Sequence, residues 1–268
     1  MKFDPREAWR ITSSMMVVCA LGAGVLGAVY MATDRYQKAA SLATERGAVF
    51  QLLDLDTSAT VIEVRQFLEP DRDRVIYSTG SLGSTEPGRE IAFTLDGTSV
   101  PAGGAPSRRT PLGRLFVARR GAAPAGFVVE GSSRGYKNRI RFLVGVTPDF
   151  AIAGVRVLEH EEDPGLGAEI ATPEFRGQFV GREAASLEVT RDPMPEDWHA
   201  ALLQLRRTPA TTWRARYAGL LERERTRPVY AVTGATISSR ALTDGVRQTL
   251  EHFRRRWALI EPYLGGAS

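Results

Sequence analysis

The runs RIRFLVGV at residues 139–146 and IAGVRVLEH at 152–160 decide the fold of this chain. Both are rich in β-branched residues and are separated by a short segment containing turn residues, which is typical of two adjacent strands. Two similar runs precede them, GRLFVAR at 113–119 and GFVVEG at 126–131. Four such runs close together predict an antiparallel meander.

The sequence after the predicted strands has apolar residues at the spacing of an α-helix. The segment 238–258 places five large apolar side chains on one helical stripe, namely Leu242, Val246, Leu250, Phe253 and Trp257. Before it, residues 195–226 predict two amphipathic helices broken near Pro209. The expected fold class is therefore α+β, with helices packed on an antiparallel sheet.

The composition excludes several classes of function. The chain has 268 residues, and its 43% apolar content predicts a packed core. The net charge of +4 is spread along the sequence and does not indicate a nucleic-acid surface. The single cysteine and the three separated histidines predict neither a disulfide framework nor a protein-built metal site.

An apolar segment lies near the N-terminus. ITSSMMVVCALGAGVLGAVYMA, residues 11–32, has no charged residue and would span roughly 30 Å as a helix. We interpret residues 11–33 as a single transmembrane helix that follows a short segment, 1–10. A cleavable signal peptide is the alternative, but its apolar region would cover only about 7–15 residues. Basic residues flank both ends, so charge alone does not decide the orientation.

Residues 34–112 are expected to form a membrane-proximal helix followed by loops and short strands. The helical spacing of residues 35–54 is interrupted at Gly47. Residues 80–111 are rich in Gly, Ser and Pro, and they predict loops between short strands such as EIAFTL at 90–95.

The first candidate binding segment is HEEDPGLGAE, residues 160–169, where a predicted strand ends in polar residues and then turns sharply. Glycine in such a turn permits positive φ and close approach of the backbone to a ligand. The candidate residues are His160, Glu162, Pro164, Gly165, Leu166 and Gly167. The alternative is an ordinary Pro-Gly turn whose acidic side chains are solvated.

The second candidate segment is AVTGATISSRAL, residues 231–242, at the start of the closing helix. Its hydroxyl and backbone N–H groups gather where a helix N-terminus favours an anion such as a phosphate. The candidate residues are Thr233, Gly234, Ala235, Thr236 and Ser238. The alternative makes Thr236 or Ser238 a plain N-cap.

The order of these features resembles the flavin-binding subunits of Rnf and of sodium-translocating NADH:quinone reductase complexes. The motif TGAT before a C-terminal helix, the pattern H-x-E-x-P-G-L-G at a strand end and an N-terminal anchor carry the resemblance. The sequence is most similar to the G subunit of Rnf and is related to the C subunit of the quinone reductase. The resemblance implies that residues 113–268 bind FMN and that a phosphoester joins FMN to Thr236.

Two positions depart from the family pattern, and residues 195–226 form an insertion relative to it, between the last strand and the TGAT motif. Members usually carry an acidic residue, read by a flavin transferase, six positions before the modified threonine, and Tyr230 stands there in this chain. Asp163 stands where a threonine usually precedes Pro-Gly-Leu-Gly. The resemblance further implies that residues 1–10 are cytoplasmic and that the FMN domain lies on the periplasmic or extracytoplasmic side of the inner membrane.

The function implied by the resemblance is an electron relay within an ion-translocating membrane complex. Its partners would be other membrane subunits and the flavin transferase, with no nucleic acid and no metal, and the chain would contribute no catalytic residue of its own. Two alternatives remain: a stand-alone anchored FMN protein that acts as a redox sensor or donor, and a non-redox scaffold with a degenerate motif.

Overall fold

The computed structural model describes residues 5–56, 58–82, 88–104, 107–121 and 123–264. Residues 1–4 of the predicted cytoplasmic segment, and parts of the regions 34–112 and 113–268, therefore lie outside the described residues. The chain divides into two compact units, Met1–Gly47 and Ala48–Ser268.

The N-terminal unit contains most of the helix α1, Pro5–Leu53. Its segment Thr12–Thr33 has a mean hydropathy of 2.1, is not buried and is long enough to cross a membrane. The interruption expected at Gly47 is wrong, because the helix continues through this residue. One glycine in a helix costs only about 1 kcal/mol relative to alanine, which a long helix tolerates.

The described part of the second unit contains the following strands and helices, each kind numbered along the chain. The strands are β1 (Thr60–Glu69), β2 (Arg74–Ser81), β3 (Glu90–Thr94), β4 (Ser99–Val100), β5 (Thr110–Arg120), β6 (Ala123–Arg134), β7 (Arg139–Val146), β8 (Ile152–Glu159), β9 (Val189–Thr190) and β10 (Val229–Tyr230). The further α-helices are α2 (Pro173–Gly177), α3 (Glu196–Leu203), α4 (Ala210–Arg216), α5 (Ala218–Glu224) and α6 (Thr236–Leu264). Single turns of 3₁₀-helix occur at Pro70–Arg72, Gly167–Ala171, Ala184–Ser186 and Gln204–Arg206.

The strands β1 to β8 form one sheet in the order β4-β3-β2-β1-β5-β6-β7-β8, and each neighbouring pair is antiparallel. The predicted meander is confirmed as β5 to β8, and the α+β fold class is confirmed with it. The sheet also begins before residue 113, since β1 pairs with β5 from Thr60↔Arg119 to Leu68↔Thr110. Glu63, Arg65 and Gln66 interrupt the apolar alternation of β1, so its place in the sheet was not evident from the sequence.

Helix α6 packs on one face of the sheet and forms the main core. Its five predicted stripe residues are all buried. Phe127 of β6 lies under them, with its ring centroid 4.4 Å from that of Trp257 and 5.2 Å from that of Phe253. Full burial of each large apolar side chain contributes about 1.5–3 kcal/mol, so this contact stabilises the packing of α6 on the sheet.

The last turn of α1 packs on the opposite face of the sheet. Val49 and Leu52 join Phe116, Val128 and Leu143 in a separate buried cluster. Because side chains alternate along a strand, Phe116 and Leu143 point away from the α6 face that their neighbours in β5 and β7 line. The sheet is consequently covered on both faces.

The insertion 195–226 folds as three short helices rather than two. The predicted break near Pro209 is present immediately before α4, and a second break falls at Tyr217. Trp198, Leu202 and Trp213 form a small core of their own together with Tyr230.

Arginine side chains cover the edge strand β8. Arg176 Nη1 donates to the Val155 carbonyl oxygen at 3.1 Å, and Arg214 Nη2 of α4 donates to the Ala153 carbonyl oxygen at 2.5 Å. The opposite edge, β4, has only two residues. Both edges are therefore poor templates for pairing with another strand.

Candidate functional site

The two candidate segments lie side by side at the N-terminal end of α6. The Ser238 hydroxyl donates a hydrogen bond to the Glu162 carboxylate. Leu166 lies against Gly234, where a Cβ atom would come within 3.0 Å of Leu166 Cδ2. Gly234 has a φ of 78°, which glycine adopts without strain. The fold thus joins residues that the sequence places about 70 positions apart.

Glu162 is the centre of this junction and is buried, with only 4% of its surface exposed. Its carboxylate also accepts hydrogen bonds from the backbone N–H groups of Lys137 at 3.1 Å and Tyr136 at 3.2 Å. Burial by itself raises the pKa of Glu162, but the hydrogen bonds from Ser238 and from these backbone groups outweigh it and lower the pKa. Glu162 is therefore an ionised structural anchor, not a solvated loop charge.

Two glycines make room for the anchor. A Cβ atom on Gly167 would lie 2.8 Å from both Glu162 Oε2 and Ser238 Oγ, and a Cβ on Gly135 would overlap Glu162 Oε1. Gly167 is therefore needed for the close approach of the loop to α6. Gly165 serves the turn itself, with a φ of 73°.

The other polar residues of the loop face the turn at residues 136–138. Asp163 forms an ion pair with Lys137, and Glu161 accepts a hydrogen bond of 2.9 Å from Asn138 Nδ2. The hydrogen bond to Asp163 raises the pKa of Lys137. His160 is half-buried, and its Nδ1 has no hydrogen-bond partner among the described residues. Pro164 is exposed.

Thr236 is the first residue of α6, so neither it nor Ser238 is the N-cap. The N-cap alternative is therefore wrong. Ser238 lies in the first turn, and its donated hydrogen bond goes to Glu162, so the structure does not leave it as a donor for a phosphate. Thr233 and Gly234 are exposed, and Ala235 is buried.

Thr236 lines a depression of about 340 Å³ whose other walls carry Arg134, Arg191 and Arg240. Three guanidinium groups and a helix N-terminus favour an anionic ligand at this point. The sequence did not reveal these arginines as a group, because they come from three separate segments and form no local motif.

Exposed apolar side chains lie on the segments that meet at the junction. Tyr136 is 64% exposed, Ile237 is 59% exposed and Leu166 is 47% exposed. Large apolar side chains exposed close together are typical of a binding surface. Among the described residues, no group of three or more His, Cys, Asp and Glu side chains is arranged to hold a metal ion.

The comparison with known families agrees with this geometry. Residues 135–251 match the family described as "FMN-binding domain". Residues 135–251 are therefore similar to an FMN-binding domain, and this similarity supports FMN as the cofactor. This domain includes all the candidate residues that the sequence indicated, together with Tyr136, Arg191 and Arg240, while Arg134 precedes it by one residue.

Relatives of the FMN-binding domain are named as members of ion-translocating complexes. The G subunit of the proton-translocating ferredoxin:NAD(+) oxidoreductase complex of Clostridium ljungdahlii is 32% identical over 136 residues, which cover 51% of this chain and 57% of that protein. The G subunit of the ion-translocating oxidoreductase complex of Methanosarcina acetivorans is 32% identical over 128 residues, or 47% and 50% of the two chains. The matches thus span about half the length of these curated relatives.

Among solved structures, NqrC of Shewanella oneidensis is similar to this chain. The match has a TM-score of 0.48 and 16% sequence identity, and it covers 84% of this chain and 99% of that one.

Proposed function

We propose that the chain is a membrane-anchored electron-relay subunit of an Rnf-type ion-translocating oxidoreductase complex, with FMN attached through its phosphate to Thr236. The observation that carries the proposal is the position of Thr236. It begins α6, lines a depression walled by three arginines and adjoins the 160–167 loop inside an FMN-binding domain.

The chemistry of the site suits attachment through the phosphate. Thr236 presents a hydroxyl, which a phosphoester bond requires, at a helix N-terminus that stabilises negative charge. A bond through the remote phosphate leaves the isoalloxazine ring of FMN free to accept and donate electrons. A covalent link also keeps the cofactor from being lost to the surroundings.

The flavin ring would lie on the exposed apolar side chains next to Thr236. Leu166 lies close to Gly234, and the backbone N–H of Tyr136 donates a hydrogen bond to Glu162. The Glu162 carboxylate therefore fixes the backbone at Tyr136, and Glu162 itself belongs to the loop that carries Leu166. An open ring site suits a relay, because redox partners must approach the ring, and no general acid or base is needed for electron transfer.

Membrane anchoring would come from Thr12–Thr33. The relatives' names place those proteins in multi-subunit ion-translocating complexes. By analogy, we propose other membrane subunits as partners, a flavin transferase for maturation, and a domain on the extracytoplasmic side. The four regions expected from the sequence, 1–10, 11–33, 34–112 and 113–268, remain the proposed cytoplasmic segment, anchor, membrane-proximal helix and strand region, and FMN domain.

Two measurements on protein extracted from its native membrane test this function. Flavin fluorescence of the chain after denaturing electrophoresis, and co-purification with multi-spanning subunits, are the expected results. A fluorescent chain without partners would support the stand-alone redox protein instead. A chain without flavin in cells that contain a flavin transferase would contradict covalent attachment, and the absence of bound FMN as well would favour the scaffold.

A further inference from the structure

Three arginines from three different elements meet at Thr236. Arg134 ends β6, Arg191 follows β9, and Arg240 lies one helical turn beyond Thr236 on α6. All three line the same depression of about 340 Å³. Their convergence depends on the packing of α6 against the sheet and against the β9 segment, not on their spacing in the sequence.

The positive charge of this group is not neutralised within the described chain. None of the three arginines has an ion pair or a side-chain hydrogen bond to the described residues. Asp244 also lines the depression, but it accepts a hydrogen bond of 2.9 Å from Arg247. Other arginines of the domain are paired, as Arg114 is with Glu130 at 2.8 Å. The depression therefore carries a net positive charge with room for an anion.

The chemistry of this group matches a phosphate monoester. Guanidinium groups bind phosphate oxygens through paired N–H donors, and the N–H groups at the start of a helix add further donors. We propose that Arg134, Arg191 and Arg240 form a phosphate subsite that holds the FMN phosphate beside the Thr236 hydroxyl. This inference rests on the proposed function and adds the groups that select a phosphorylated flavin.

The subsite makes a prediction about ligand choice. FMN and riboflavin carry the same ring, and only FMN carries the phosphate. The phosphate contacts should therefore make FMN bind about 10-fold or more tightly than riboflavin, since one charge-assisted contact of about 1.4 kcal/mol corresponds to a factor of ten. Added inorganic phosphate should compete with FMN and leave riboflavin binding unchanged.

The experiment uses the full chain in detergent with Thr236→Ala, so that flavin cannot attach covalently. Binding of FMN and riboflavin is measured by the change in flavin fluorescence. In this background, Arg134→Gln, Arg191→Gln and Arg240→Gln should each weaken FMN binding about 3- to 10-fold. Riboflavin binding should not change, and it also reports that each variant is folded. Arg216→Gln, an exposed arginine of α4 outside the depression, is the matched control.

Equal affinity for FMN and riboflavin would overturn the subsite, as would arginine variants that weaken both ligands equally. Failure of the Thr236→Ala chain to bind FMN would overturn it as well. The proposed function is judged separately, by flavin fluorescence of the unaltered chain after denaturing electrophoresis.

Discussion

The Ser238 hydroxyl hydrogen-bonds to the carboxylate of Glu162, although the two residues are 76 positions apart in the chain. The same carboxylate accepts hydrogen bonds from the backbone N–H groups of Tyr136 and Lys137. One side chain thereby ties together the β6–β7 turn, the 160–167 loop and the first turn of α6. The geometry around Thr236 depends on this junction.

Replacing Glu162 tests the junction. Glu162→Gln places an NH₂ group against groups that donate hydrogen bonds, so we expect the free energy of unfolding to fall by about 1–3 kcal/mol at pH 7. The measurement is urea unfolding of the full chain in detergent. Glu161→Gln, at an exposed neighbour, is the control and should change stability by about 0.5 kcal/mol or less.

The pH dependence of the free energy of unfolding, compared between the unaltered chain and Glu162→Gln, provides a second check. Because the folded state lowers the pKa of Glu162 below its ordinary value of 4.5, its stabilising effect is fully present above that pH. The effect is lost as the pH falls through the lower folded-state pKa. The stability difference between the unaltered chain and Glu162→Gln should therefore shrink below about pH 4.5. A difference that grew on acidification would contradict the assignment.

Removal of the Thr236 hydroxyl tests covalent attachment. Thr236→Ala should abolish flavin fluorescence of the chain after denaturing electrophoresis, because a phosphoester needs the hydroxyl oxygen. The domain should remain folded, since Thr236 is only half-buried. Thr233→Ala is the matched control and should weaken attachment less. Fluorescence that survives in Thr236→Ala would assign the link to another residue.

Tyr230 gives a prediction by mass spectrometry. Its side chain is buried in the core of the insertion, and its hydroxyl donates to Glu224 Oε2 at 3.2 Å. Tyr230 therefore has a structural role in this core. We expect FMN to become attached to Thr236 even though Tyr230 replaces the usual acidic residue. The tryptic peptide from Thr226 to Arg240, which Pro228 protects from cleavage after Arg227, should carry the mass of FMN less one water.

An unmodified peptide in cells that contain the transferase would show that the acidic residue is essential. Tyr230→Asp should then restore the adduct, although it removes the Tyr230 ring from the core of the insertion.

Replacing Arg214 tests whether this side chain protects the edge strand β8. Arg214→Ala leaves the Ala153 carbonyl oxygen without this donor, and we expect a loss of about 1–3 kcal/mol in the free energy of unfolding. The freed edge should also raise the tendency to aggregate, measured by light scattering on heating. Arg216→Ala, an exposed arginine on the same helix, should leave both properties unchanged.

The orientation of the chain is tested by fusions. If residues 1–10 are cytoplasmic and the FMN domain is outside, a reporter that is active only in the cytoplasm should be silent when fused after Ser268. A reporter active only outside should give a signal there. The reverse pattern would reject both the orientation and the supply of flavin outside the membrane.

The sequence predicted the elements whose pattern is local. The apolar runs of β5 to β8 and the stripe from Leu242 to Trp257 specify strands and a helix through their periodicity alone. The break at Pro209 follows from local chemistry in the same way. Where the local signal was weak, as at Gly47, the length of the helix decided the outcome.

The arrangement of the site depends on contacts that no local pattern encodes. The link between Glu162 and Ser238, the burial of Tyr230 and the meeting of the three arginines each join segments far apart in sequence. The sequence indicated which loops carry binding residues. It did not show that Ser238 is engaged by Glu162 or that arginines surround Thr236, because both depend on how α6 packs on the sheet.

The parallel pairing of β9 with β10 sets Val189 beside Val229 and Thr190 beside Tyr230. The chain thus leaves the domain and re-enters it at neighbouring points, about 5 Å apart. Beyond Arg191, which lines the depression beside Thr236, the segment between these points can lengthen or shorten without moving the residues that follow Tyr230. Evolution could therefore remodel this outer lobe to suit different neighbours while Thr236 kept its place.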